Sequence, residues 1–252
     1  MAGRRQRRWP RPRFGAYWRR AFLVALVLAS VTAAGVGVYR SPVLSVQGVR
    51  VEGTNVLSVE EVRLVADLEG RSLLRPDFAG ARQRLLALPM VKDVRISRDL
   101  PRDAHVRIVE RTPMAVWQIG EERYVIDADG VVLEMLVPVG VPVIVQTDAA
   151  WALAPGDRVD RGAVDVVAQL VPSAKQTLDR TVIALEFSQA RGLTVVLAGS
   201  ADERDGLWVT FGDAQGYNFK VAALYAVLQQ AQEEGRTLRR VDLRFGDRVA
   251  VQ

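Results

Sequence analysis

His105 is the single histidine in a chain of 252 residues that contains no cysteine. An imidazole can act as base, acid or metal ligand, but each role needs partners. Ala104, Val106 and Ile108 alternate with it, so it reads as a polar position on the solvated face of a strand. A nitrogen- or sulfur-ligated metal site wants three or four ligands, and the sequence offers one. Asp127-Ala128-Asp129-Gly130 opens like a calcium loop, yet its twelfth position is Pro138, where a bidentate glutamate is needed. That string reads instead as the tight turn of a hairpin. The run Asp202-Glu203-Arg204-Asp205 reads as a solvated turn, with a calcium or partner contact as the competing reading. Glycines sit at turns and build no phosphate loop. No catalytic, cofactor-binding or metal-ligating residue is therefore expected, and the chain does not read as an enzyme.

The elements begin with an apolar run. Ala21 to Tyr39 is 19 residues without a charge, bounded by Arg19 and Arg20 on one side and Arg40 on the other. At about 1.5 Å per residue it reaches roughly 28 Å, close to the hydrocarbon thickness of a bilayer. A cleaved signal peptide has a shorter apolar core, of roughly 7–15 residues. Arg19-Arg20-Ala21-Phe22-Leu23 is similar to a twin-arginine export signal, but no cofactor site follows to call for that route. A retained anchor is the better reading, with Trp18 and Tyr39 as interfacial aromatics.

Charge fixes the expected orientation. Eight arginines and no acid precede the run, whereas only Arg40 and Arg50 are basic in the 20 residues after it. The N-terminus is therefore expected in the cytoplasm and the bulk outside. The formal charge of +5 is misleading, because without those eight arginines 26 basic residues face 29 acids. The basic balance thus points to membrane lipid, and nucleic acid is not an expected partner.

Beyond the anchor, the pattern is α+β. Val43–Val51 reads as a strand, and Ser58 with Glu61 as a capping box for a helix stopping near Gly70. Asp77 caps a second helix carrying Phe78, Ala81, Leu85 and Leu88 inward, with Arg82 on its surface. Strands follow near Val94–Ser97 and Ala104–Val109. This is a β-α-α-β-β unit: a three-stranded sheet with two helices on one face. The second unit opens at Met114–Gln118 and continues through the Asp127–Gly130 hairpin. An irregular or edge-like stretch with Pro138, Pro142 and Pro155 follows, then a helix over Arg161–Leu170. Strands are expected at Val182–Ser188, Leu193–Ala198 and Leu207–Gly212, and a helix over Tyr217–Glu234. A closing hairpin runs Leu238–Phe245 and Arg248–Gln252, with Val249 and Val251 facing the core. Trp208, Tyr217 and Tyr225 read as core residues, and Lys220 as structural. The expected division is 1–20 arginine-rich tail, 21–39 span, 43–112 first unit and 113–252 second unit.

Several strings carry a resemblance. Val51-Glu52-Gly53, Ser58–Val62, Leu88–Val94 and Val109-Glu110-Arg111-Thr112-Pro113 are similar to a POTRA domain. Val125–Gly130, Phe211-Gly212 followed by Lys220 and Leu224, and Val241–Phe245 are similar to the β domain of the FtsQ/DivIB family of bacterial cell-division proteins. The resemblance covers essentially the whole chain. It implies a non-enzymatic, single-pass division protein without cofactors, whose tail and span target it to the septum. It also implies that the β domain binds two small bitopic proteins, FtsB and FtsL, and through them relays a signal to the septal peptidoglycan synthase. By the same resemblance the contact is strand addition near Arg244 and Phe245 and along Arg248, Val249, Ala250 and Val251. Where relatives can carry tyrosine this chain has Phe245, which lacks the phenolic hydroxyl. The competing reading is a POTRA-bearing component of protein export or envelope assembly that chaperones polypeptides by strand addition.

Overall fold

The structure is a computed structural model that describes residues 14–39, 45–72, 76–99, 101–148, 151–198, 206–245 and 248–251. The first element, α1 (Phe14–Tyr39), contains a span from Trp18 to Gly37 that is long and apolar enough to cross a membrane and has no buried residue. Its serine and threonine hydroxyls are satisfied within the helix, which lipid requires. Ser30 Oγ donates to the Leu26 carbonyl at 2.8 Å, and Thr32 Oγ1 to that of Leu28 at 2.7 Å. Arg19 and Arg20 lie exposed on this helix, whereas Arg40 and the Tyr39 side chain fall outside the described residues.

The first unit comprises β1 (Gly48–Glu52), α2 (Val59–Ala66), α3 (Phe78–Leu86), β2 (Val91–Asp99) and β3 (Asp103–Glu110). Its sheet has the order β1-β3-β2, with β1 parallel and β2 antiparallel to β3. Val49, Val94, Val106 and Ile108 from the sheet close on Val62, Ala66, Ala81 and Leu85 from the helices. Both N-caps fall where the sequence places them. Ser58 Oγ accepts from the Glu61 N–H at 3.1 Å and Asp77 Oδ1 from that of Gly80 at 3.0 Å.

Three expectations for this unit change. The regular strand begins at Gly48, because Val46 pairs instead with the Gly70-Arg71 turn (2.9 Å each way). Helix α2 stops at Ala66, not at Gly70, since Asp67 takes the left-handed conformation (φ 47°) that terminates it. Arg82 is not a bare surface residue. Its Nε donates to the Val94 carbonyl at 3.0 Å and its terminal nitrogen to Asp93 at 3.0 Å.

The second unit is a nine-stranded mixed sheet with two helices. Its strands are β4 (Pro113–Ile119), β5 (Glu122–Asp127), β6 (Val132–Leu133), β7 (Val143–Gln146), β8 (Val182–Ser188), β9 (Gly192–Leu197), β10 (Leu207–Gly212), β11 (Arg240–Phe245) and β12 (Arg248–Val251). Helix α4 (Arg161–Leu178) joins β7 to its parallel neighbour β8, and α5 (Tyr217–Glu233) joins β10 to its parallel neighbour β11. The order is β12-β11-β10-β9-β8-β7-β4-β5-β6. Along β10, Leu207, Val209 and Phe211 enter the core under the helices, together with Val164, Val167, Leu170 and Leu224.

Here too the sequence misled in places. The proline-bearing stretch contains β7, a central strand between β4 and β8. Pro138 and Pro142 precede it, so no ladder N–H is lost, and the Pro142 carbonyl still accepts from Val116 N–H at 2.8 Å. Helix α4 runs eight residues past Leu170, straight through Pro172. Proline forfeits its own N–H bond, the one that would reach the Ala168 carbonyl, and the adjacent Ser173 Oγ donates back to the Gln169 carbonyl at 2.7 Å. The Asp127–Gly130 turn does form a hairpin, with Val125 opposite Leu133 and Ile126 opposite Val132.

Candidate partner-binding edge

Two sheets have four outer strands, and these are treated in three ways. In the first unit an arginine from a helix lies against each outer strand. Arg63 Nε donates to the Val49 carbonyl of β1 at 2.9 Å, and Arg82 Nε to the Val94 carbonyl of β2. A guanidinium at a strand edge opposes further pairing. In the second unit, β6 is covered by the chain itself. Val132 N–H donates to the Asp157 carbonyl and Val132 O accepts from Gly156 N–H, both at 2.8 Å, and Val131 bridges Arg158. The fourth edge is β12, joined to β11 through Val241–Val251, Asp242–Ala250 and Phe245–Arg248. Among the described residues nothing pairs with its outer side.

Beside β12 the sheet face away from the helices forms an open groove lined by Arg191, Trp208, Arg240, Arg244 and Ala250, among others. Trp208 is 38% exposed there. Val251 stands opposite the core residue Val241, so it lies on the helix-covered face, half-exposed because β12 is the outer strand. Two other expectations are corrected. Trp208 lies on the uncovered face, and Tyr225 is 48% exposed on α5. Tyr217 does pack against the core, with its ring stacked on Phe211 at 6.4 Å. The alternation Leu207-Trp208-Val209-Thr210-Phe211 already put Trp208 opposite three core residues. Arg191 and Arg240 carried no sequence signal, since they meet only through strand order.

Arg244 is anchored by Asp242, two residues earlier on the same strand face. Its Nε lies 3.0 Å and a terminal nitrogen 2.7 Å from the carboxylate, and its own N–H donates there at 3.1 Å. The guanidinium holds the Asp242 carboxyl below the usual carboxylate range, and Asp242 in turn raises Arg244. Ala250 is exposed. The side chains of Phe245, Arg248 and Val249, and the Asp202–Asp205 run, lie outside the described residues.

Elsewhere the polar groups are knotted into the fold. Lys220 is buried, donating to the Phe211 and Asp213 carbonyls and to Asp213 Oδ1 at 2.8–3.0 Å. His105 is not simply solvated. Its Nε2 sits 3.1 Å from Glu52 Oε2, without hydrogen-bond alignment. With the ring foremost and Arg107 second, the Glu52 carboxyl is held low. Among the described residues no three His, Cys, Asp or Glu side chains converge on a metal-sized space.

The comparisons with known proteins agree with this architecture. Residues 44–111 match the model of the POTRA domain, FtsQ-type, and residues 115–244 that of Cell division protein FtsQ/DivIB, C-terminal. The chain is 31% identical over 219 residues to cell division protein FtsQ of Mycobacteroides abscessus, covering 85% of this chain and 65% of that one. It is 32% identical over 210 residues to the protein of the same name from Streptomyces bingchenggensis, covering 78% and 77%. The match to FtsQ of Mycolicibacterium smegmatis, at 29% identity, covers 79% of this chain and 57% of that one. The chain thus spans about two thirds or less of two of these relatives. An apolar N-terminal helix, an FtsQ-type POTRA unit and a β-rich unit closed by two helices fit a membrane-anchored protein, and the chain belongs to the FtsQ/DivIB family of cell-division proteins.

Proposed function

We propose that this chain is a non-enzymatic scaffold of the division machinery, working by binding at β12. Small bitopic partners of the FtsB and FtsL kind add a strand to that edge, and the assembly conveys their presence to the septal peptidoglycan synthase. The N-terminus lies in the cytoplasm and the two folded units outside, at the septum. One observation carries this reading: of the four outer strands, β12 alone is met by neither a helix arginine nor a covering segment among the described residues. Strand addition draws its affinity from such unpaired backbone groups, and flanking side chains supply specificity. The same contrast weighs against an export chaperone acting through its POTRA sheet, where Arg63 and Arg82 occupy the edges.

The test is proline at Val249 and at Ala250 in separate full-length proteins, since proline removes a backbone donor. At least one variant is expected to stay folded and reach the membrane yet fail to co-purify the small bitopic partners. Full partner recovery by both folded variants would rule strand addition out.

A further inference from the structure

Only Arg111 and Thr112 separate β3 from β4, so the two units share a very short joint. A two-residue link is ordinarily a hinge, and relative motion of neighbouring units is the default unless their interface is large and apolar. The apolar contact here is small. Met90 of the first unit is buried with Val125 and Leu133 of the second, and Leu57 and Met135 pack alongside.

Arg111 changes that balance. Its backbone N–H donates to the Met90 carbonyl at 2.8 Å, extending the POTRA ladder by one bond. Its guanidinium points the other way, into the second unit, where it pairs with Asp127 and lies 3.1 Å from Asp129. The Arg111 and Asp127 side chains are 12% and 3% exposed. The other oxygen of Asp127 accepts the N–H groups of Asp129 (2.9 Å) and Val131 (2.8 Å), so its position is fixed by the hairpin. Lys92 Nζ on β2 reaches Asp129 at 3.1 Å, a second ionic tie between the units. On the near side, the Glu110 carboxylate accepts the N–H groups of Val56 and Leu57 at 2.9–3.1 Å, fixing the loop that carries Leu57.

We infer that Arg111 locks the POTRA unit and the nine-stranded unit into one rigid body, with Asp127 and Asp129 as its receptor. Bending at Thr112 would draw a buried guanidinium from a buried carboxylate, leaving charge without compensation. The two residues on either side of the joint and the Asp127–Gly130 turn are thus parts of one device. This holds whether or not β12 accepts a partner strand.

The chain has no cysteine, so paired spin labels can be introduced cleanly into the full-length protein in lipid nanodiscs. Arg95→Cys on β2 and Gln229→Cys on α5 are exposed positions in the two units. The labelled parent is expected to give one narrow distance distribution. R111M is expected to broaden it at least twofold, while each label keeps its local mobility. D129N, which leaves Arg111 on Asp127, is expected to stay closer to the parent than R111M. Should R111M not fold, R111K, which keeps the charge but loses the forked reach, carries the same expectation. A broad distribution in the parent, or an equally narrow one in the folded Arg111 variant, would overturn the inference.

Discussion

Lys220 on α5 donates to the carbonyl of Phe211 at the end of β10, at 2.8 Å, so a buried ammonium pins the last helix to the sheet. Removing it strands two carbonyls that the same nitrogen serves. Lys220→Met is expected to cost about 2–4 kcal/mol, read as a lower midpoint in denaturant with an unchanged slope. A loss below about 0.5 kcal/mol, within the range of surface substitutions, would mean that the carbonyls find other donors.

A second prediction concerns the first unit. Leu85 is fully buried between α3 and the sheet, so Leu85→Asp is expected to cost several kcal/mol, about 3 or more, by burying an unpaired charge. Arg82→Glu removes the Val94 contact and sets a second carboxylate beside Asp93. Its expected cost is about 1 kcal/mol, so it is no neutral control. Thermal melts of both, side by side, check the ordering.

The pH dependence follows from Asp129. Lys92 first, then Arg111, hold its carboxyl below the ordinary value of 3.8. A carboxyl depressed by folding adds stability that is fully present above its unfolded pKa and is lost as pH falls through the lower folded value. Stability is therefore expected to drop as pH falls below about 4, and more steeply in the parent than in D129N. Denaturant titrations across that window would show the two acid limbs converging.

At the edge, Arg244→Glu reverses the charge in the groove and sets it against Asp242, and Phe245→Ala shortens β11's last side chain. Both are expected to lower partner recovery at least tenfold, about 1.4 kcal/mol, with the POTRA unit's melting unchanged. Equal recovery would place the contact elsewhere.

Topology has its own check. Reporter fusions after Arg20 and after Val51 are expected to report opposite sides of the membrane. Activity of the same reporter type at both sites would contradict the orientation expected from the arginines.

The elements legible in the sequence were those with local signals. Ser58 and Asp77 announced two helix starts, and the Asp127–Gly130 turn announced its hairpin. What escaped was decided by tertiary context. The helix expected over Arg161–Leu170 stops short of Pro172, but Ala163, Val167, Leu170 and Ala174 bury a continuous face against the sheet, and that burial outweighs one lost bond. Ile144 of β7 is fully buried although prolines stand on either side of its strand. The groove was illegible for the same reason: Arg191 on the β8–β9 turn and Arg240 on β11 are brought together only by strand order. Arg111 stands in the string that resembles a POTRA domain, and its grip on Asp127 arises only once the two units fold against each other.

Helix α1 ends at Tyr39 and the first pairing of the POTRA unit is at Ser45. Six steps of backbone reach at most roughly 20 Å, so with α1 in a bilayer the folded units would be leashed close to its surface. A partner anchored in that bilayer would search for them in a thin layer rather than in bulk solvent, so its local concentration would be set by its density in the membrane. Contacts of modest intrinsic strength then suffice for lasting association. A fragment cut free of α1 would keep each contact and lose the confinement, so its affinity in solution would understate what the anchored protein achieves.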